Sequence, residues 1–128
     1  MAIGYEAADA LVDGDYNTVF GTGAMGSGTH ADMSFNTVIG AFAGDAMTSA
    51  AIANTVLVGG YAGTSALTAT ASGTVAIGRS SLQDLTSGAG NIAIGYQALI
   101  EHTEGSRNIA IGYEAMFNTY DGSADDTR

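Results

Sequence analysis

The amino-acid sequence predicts an all-β chain wound as a parallel β-solenoid of about seven coils of 17–19 residues. Three observations predict it. A short apolar motif ending in glycine recurs along the chain, and its copies lie at a nearly constant interval. Proline, cysteine and tryptophan are absent, while 19 glycines and many β-branched residues suit short strands joined by tight turns. Self-similarity at a fixed period is the mark of a stack in which each repeat buries its apolar side against its neighbours.

The clearest copies are Asn91-Ile-Ala-Ile-Gly95-Tyr-Gln-Ala-Leu99 and Asn108-Ile-Ala-Ile-Gly112-Tyr-Glu-Ala-Met116. Fainter ones begin at Asn17, Asn36, Thr55 and Thr74, and a truncated copy, Ala2–Ala7, opens the chain. Gly4, Gly21, Gly40, Gly59, Gly78, Gly95 and Gly112 therefore mark one position in a single tandem-repeat segment spanning residues 1–128. The intervals between them are 17, 19, 19, 19, 17 and 17 residues. A difference of two preserves the parity of side chains along a strand, whereas a difference of one would turn the buried face outward. Ten residues after the marker stand Gly14, Gly88, Gly105 and Gly122 in four copies, and Ala31, Ala50 and Ala69 in the three longer coils. One corner is thus built two ways, as a glycine turn or as a longer loop.

The strand is the segment just before each marker. Two sets alternate with an intervening residue: Thr18, Thr37, Val56, Val75, Ile92 and Ile109, then Ile3, Phe20, Ile39, Val58, Ile77, Ile94 and Ile111. Stacked in parallel register, these sets are expected to point inward as continuous ladders. The intervening residues, Ala2, Val19, Val38, Leu57, Ala76, Ala93 and Ala110, are apolar too. A half-exposed strand would be polar there, so the second face is expected to be covered, most simply by another copy of the chain. Val19, Val38, Leu57, Ala76, Ala93 and Ala110 are accordingly the expected self-association surface. The marker glycine accommodates a bend that a Cβ would obstruct. Three residues later a small side chain recurs, at Ala7, Ala24, Ala43, Ala62, Ser81, Ala98 and Ala115, which implies a crowded position. Helix is expected at most as a short turn, over residues 96–101.

The pattern Asn-Ile-Ala-Ile-Gly-Tyr-[Gln/Glu]-Ala-[Leu/Met] resembles the repeats of phage tail-fibre proteins and is similar to the head repeats of trimeric autotransporter adhesins. The resemblance implies a left-handed β-roll or solenoid, trimeric, on an extracellular fibre of a virion tail or a cell surface. It also implies contact with a host receptor or cell-surface glycan. Adhesin heads of this kind have a shorter repeat, which places this chain nearer the phage fibres.

A formal charge of -10, from 13 acidic residues against three arginines and no lysine, repels phosphate backbones and anionic lipid heads. Neither nucleic-acid binding nor membrane insertion is expected, and no apolar run is long enough to span a bilayer. Gly21-Thr-Gly-Ala-Met-Gly26 matches a dinucleotide-binding spacing but lacks the helix and βαβ unit that such a site needs. His30 and His102 lie far apart in sequence, without cysteine partners, and no catalytic triad or carboxylate pair stands out. No enzyme activity and no cofactor are expected. Asp13, Asp15, Asp121 and Asp125 are weak candidates for a hard cation at corners, and solvated acidic turns explain them as well.

Tyr5, Tyr96 and Tyr113 follow the marker glycine, with Phe42 and Tyr61 one place later. Aromatic side chains on a fibre either stack on sugar rings or pack against neighbours. The function expected is therefore a structural segment of a fibre, most like a phage tail fibre, in contact with a host or surface. A subunit stacking end to end into an open filament is the alternative, and a polysaccharide depolymerase on a solenoid is the alternative of another class.

Overall fold

The computed structural model describes residues 1–27, 32–47, 51–65 and 67–118. Among the described residues, seven short strands form one parallel sheet in sequential order: β1 (Ala2–Ile3), β2 (Thr18–Phe20), β3 (Thr37–Ile39), β4 (Val56–Val58), β5 (Val75–Ile77), β6 (Ile92–Ile94) and β7 (Ile109–Ile111). Ala2, Val19, Val38, Leu57, Ala76, Ala93 and Ala110 are in register from strand to strand. Parallel strands joined by whole turns of chain make this a β-solenoid, as the glycine intervals predict. Among the described residues one turn of 3₁₀ helix, Ala69–Ala71, interrupts one of the longer coils.

The two strand faces are the reverse of the expectation. Val19, Val38, Leu57, Ala76, Ala93 and Ala110 are buried inside the chain's own core, so they are not available for self-association. Thr18, Thr37, Val56, Val75 and Ile92 are half-buried on the outer face, and Ile109 there is exposed. Ile3, Phe20, Ile39, Ile77 and Ile111 are exposed beside them. The reason is the narrowness of the coil behind the strand. Leu82 and Leu99 occupy that space opposite Ala76, Ala93 and Ala110, all in the buried core. Where glycine replaces leucine at the same position, Leu57 takes the volume, joined at Gly44 by Met47: a Cβ built on Gly44 would lie 2.7 Å from Met47 Sδ and 2.9 Å from Leu57 Cδ1, and one on Gly63 3.0 Å from Leu57 Cδ2. Large meets small across the coil, which is how interiors reach native density.

The marker glycines stack in one column. At Gly59, φ is +136° and a Cβ would lie 2.5 Å from the carbonyl oxygen of Gly78 in the next coil. Backbone meets backbone there, so only glycine fits. The recurrent small residues, Ala24, Ala43, Ala62, Ser81 and Ala98, are fully buried, as crowding predicts.

Residues 96–101 form turns, not helix: Gln97 and Leu99 have φ 53°. Their amides reach in opposite directions, Gln97 N–H to the Arg79 carbonyl at 3.0 Å and Leu99 N–H to the Ala115 carbonyl at 3.0 Å. This alternation satisfies the backbone between coils rather than within a helix.

The asparagines that open the strands form a buried amide ladder. Asn17 Oδ1 accepts the Asn36 N–H at 3.0 Å, and Asn36 Oδ1 accepts the Thr55 N–H at 3.0 Å. Asn17 Nδ2 donates to the Met33 carbonyl at 2.6 Å and Asn36 Nδ2 to the Ile52 carbonyl at 3.0 Å. Asn91 repeats this with the Gly105 carbonyl at 2.8 Å. The residues stacked in the glycine corner of the longer coils are therefore Met33 and Ile52, both buried. Ala31 and Ala50 lie outside the described residues. The ladder breaks where threonine replaces asparagine: Thr74 Oγ1 is buried without a hydrogen-bond partner among the described residues.

Candidate functional site: an apolar sheet face with aromatic corners

The alternation that sends Asn, the middle strand residue and the recurrent alanine inward sends two columns outward. None of these outward strand side chains carries a charge, although the chain has 13 acidic residues. Of the large hydrophobics exposed among the described residues, all but Met1 and Val12 lie on this sheet face or at the corners that bound it.

One corner immediately precedes the strand asparagines and holds Tyr16 and Phe35. Their rings stack with centroids 4.9 Å apart and planes 16° from parallel. Sequence reading missed this pair, and the signal was present: each precedes its asparagine directly. The other corner follows the marker glycine. Phe42 stacks on Tyr61 with centroids at 5.5 Å and planes 20° apart, and Tyr96 stacks on Tyr113 at 5.3 Å and 12°. Between the two pairs the intervening coil contributes Arg79, whose guanidinium carbon lies 5.9 Å from the Tyr61 ring centroid and 6.0 Å from that of Tyr96.

Tyr5 is exposed at this corner on the first strand's coil. The Glu6 carboxylate, by a side-chain hydrogen bond and then by its charge, raises the Tyr5 phenol above its ordinary value. Glu114 acts on Tyr113 in the same way. Of the five predicted aromatic contacts, the structure thus pairs Phe42 with Tyr61 and Tyr96 with Tyr113. Tyr5 is held by its acidic neighbour.

The other candidates are dispersed. Asp13 and Asp15 sit at an exposed turn, where Asp13 Oδ1 accepts the Gly14 N–H at 3.0 Å and the Asp15 N–H donates to Ser34 Oγ at 3.0 Å. Asp121, Asp125 and His30 lie outside the described residues, and among those described no group of three metal-ligating side chains comes together. His102 is a core residue: its Nε2 accepts from Asn108 Nδ2 at 3.0 Å, and the same amide donates to Asn91 Oδ1 at 3.1 Å.

No protein-family model, curated protein or solved structure matches the chain.

Proposed function

We propose that the chain is a non-enzymatic structural segment of an extracellular fibre, most like a phage tail fibre, whose copies associate through the outer sheet face and whose corners contact a host or surface. The observation that carries this reading is the charge-free outer face on a chain of net charge -10. A soluble monomer gains nothing from concentrating its exposed isoleucines on one flat strip, whereas an identical strip is the natural cover for it.

Magnitude favours more than a pair. Seven strands at about 4.8 Å and three residues at about 3.3 Å give a strip of roughly 300 Å². A stable interface needs about 800 Å² per partner. The Tyr16–Phe35 corner must therefore join the contact between copies around a threefold axis, leaving the corner after the marker glycines to meet a host or surface. Hydrophobic burial at about 25 cal/mol per Å² then accumulates coil by coil.

Native mass spectrometry of wild type and of Val58→Asp tests the proposal. A trimer that Val58→Asp dissociates, with the circular dichroism of the coils retained, is the expected result. A wild-type monomer at micromolar concentration would refute it. Adsorption of the wild-type assembly to intact host cells tests the contact role separately.

A further inference from the structure

We propose that copies of this chain pack parallel and in register, the Tyr16 and Phe35 rings of each copy seating on Thr18 and Thr37 of the next. This deepens the fibre reading above, on which it rests, by assigning the contact between copies and their direction.

A trade in size between two neighbouring columns carries the inference. Two residues before the strands β2 to β6 stand Tyr16, Phe35, Asn54, Gly73 and Gly90, all in one left-handed backbone conformation with φ between 59° and 74°. The strands themselves begin with Thr18, Thr37, Val56, Val75 and Ile92. Where the corner carries a ring, the strand begins with threonine. Where the corner is glycine, it begins with valine or isoleucine, and Asn54 with Val56 falls between. The coil of β7 departs from the trade, with Arg107 before Ile109. There the Arg107 stem lies back over Gly90, its Cγ 3.9 Å from the Cβ position of that glycine.

Nothing inside one chain requires this trade. Tyr16 and Phe35 are 76% and 57% exposed, and Thr18 and Thr37 are only half-buried. Side chains that face solvent have no volume to share, whereas side chains that face a packed surface must match it in size. The left-handed backbone of this corner also suits glycine, so the two bulky rings are held there at a conformational cost.

Symmetry fixes what the rings meet. Rotation about an axis along the stack moves no residue up or down, so each corner residue meets its neighbour's strand column in its own coil. Phe35 then faces Thr37 and Gly90 faces Ile92, large against small in both. A slip of two coils, about 9.6 Å, would put Phe35 on Val75 and Tyr16 on Val56. Reversing one copy about the Asn54 coil would set Phe35 opposite Gly73, which also fits in size. Such a pair covers only one strip per copy, however, and falls short of the roughly 800 Å² that a stable interface needs.

The chain contains no cysteine, so single introduced cysteines report the contact. Chains carrying Phe35→Cys are co-expressed with chains carrying Thr37→Cys or Gly73→Cys, oxidised in the assembled state, and the linked peptides identified by mass. A disulfide requires Cα atoms within about 7 Å, less than the distance between coils two steps apart. Phe35→Cys is expected to link to Thr37→Cys and not to Gly73→Cys. Linkage to Gly73→Cys would show reversed copies and overturn the proposal. A second pair of variants needs no disulfide. Thr37→Ile, which fills the recess without touching the core, should weaken association by about tenfold or more. Adding Phe35→Gly should restore it, because the coil then matches that of Gly90 and Ile92. Wild-type association in Thr37→Ile would overturn the contact. Native masses of the unmodified chain separate the two proposals. A trimer in which Phe35→Cys links to neither partner refutes the register alone, and a monomer refutes the fibre reading and the register with it.

Discussion

Leu57, together with Met47, fills the volume that Gly44 leaves open: a Cβ on Gly44 would stand 2.9 Å from Leu57 Cδ1 and 2.7 Å from Met47 Sδ, and the other flank of Leu57 is met by Gly63 of its own coil. The pair defines which face of the strand is interior. Leu57→Ala should therefore destabilise the folded chain by about 2–5 kcal/mol, as for buried leucines elsewhere, and Leu57→Asp should unfold it. Val58→Asp, one residue on and outward, should leave the unfolding midpoint of the isolated chain within about 0.5 kcal/mol. Chemical denaturation of the three variants separates the two faces. Unfolding by Val58→Asp with tolerance of Leu57→Asp would reverse the assignment.

The marker column predicts an intolerance of the smallest possible kind. Gly59→Ala adds one methyl group where the Gly78 carbonyl already stands 2.5 Å from the Cβ position, at a φ of +136°. Overpacking and backbone strain together should cost about 2–4 kcal/mol. Gly60→Ala, whose Cβ would meet nothing closer than 3.7 Å, should cost about 1 kcal/mol or less. Thermal melts of the two neighbours make the comparison.

The break in the amide ladder predicts a stabilising substitution. Thr74 Oγ1 is buried and unpartnered, between Thr55 and Asn91 in the stack. In Thr74→Asn the amide should repeat what Asn36 does, its oxygen accepting the Asn91 N–H and its nitrogen donating to the Gly88 carbonyl. A gain of about 1 kcal/mol is expected, the usual net value of a buried hydrogen bond. Asn36→Ala should instead lose about 1–3 kcal/mol, because the Thr55 N–H and the Ile52 carbonyl lose their partner.

The tyrosine at each end of the described stack predicts a pH effect. Glu6 and Glu114 raise the phenols of Tyr5 and Tyr113 by hydrogen bond first and charge second. A raised folded-state pKa favours the protonated phenol, so whatever these contacts contribute is fully present below the ordinary phenol value and is lost as pH rises through the folded-state value. Ultraviolet titration should show both phenols ionising above the ordinary phenol value, and Glu114→Gln should return Tyr113 toward that value. An unchanged titration curve in Glu114→Gln would show that the carboxylate is not responsible.

The repeat, the seven strands, their parallel order and the glycine column were all legible in the sequence, because each is a statement about period. Copies such as Asn91–Leu99 and Asn108–Met116 must superpose, and a Cβ-free position that recurs in every copy must stack. Which strand face is interior was not legible from alternation. Ile94 and Ala93 are both apolar, and exchanging the two faces leaves the pattern unchanged. The isoleucine ladder was expected inside, and the tertiary structure decided otherwise, because Leu82 and Leu99 already occupy the narrow coil behind Ala76 and Ala93. The trade of Leu57 against Gly44 and Gly63 was written in the sequence, yet it becomes a constraint only once the coil closes and brings those positions together. The aromatic contacts divide the same way. The sequence by itself determined that Phe42, Tyr61, Tyr96 and Tyr113 sit just after the markers. Only the rise from coil to coil decided that they stack in pairs and that Arg79 stands between the pairs, since ring contact depends on a spacing along the stack that no single repeat contains.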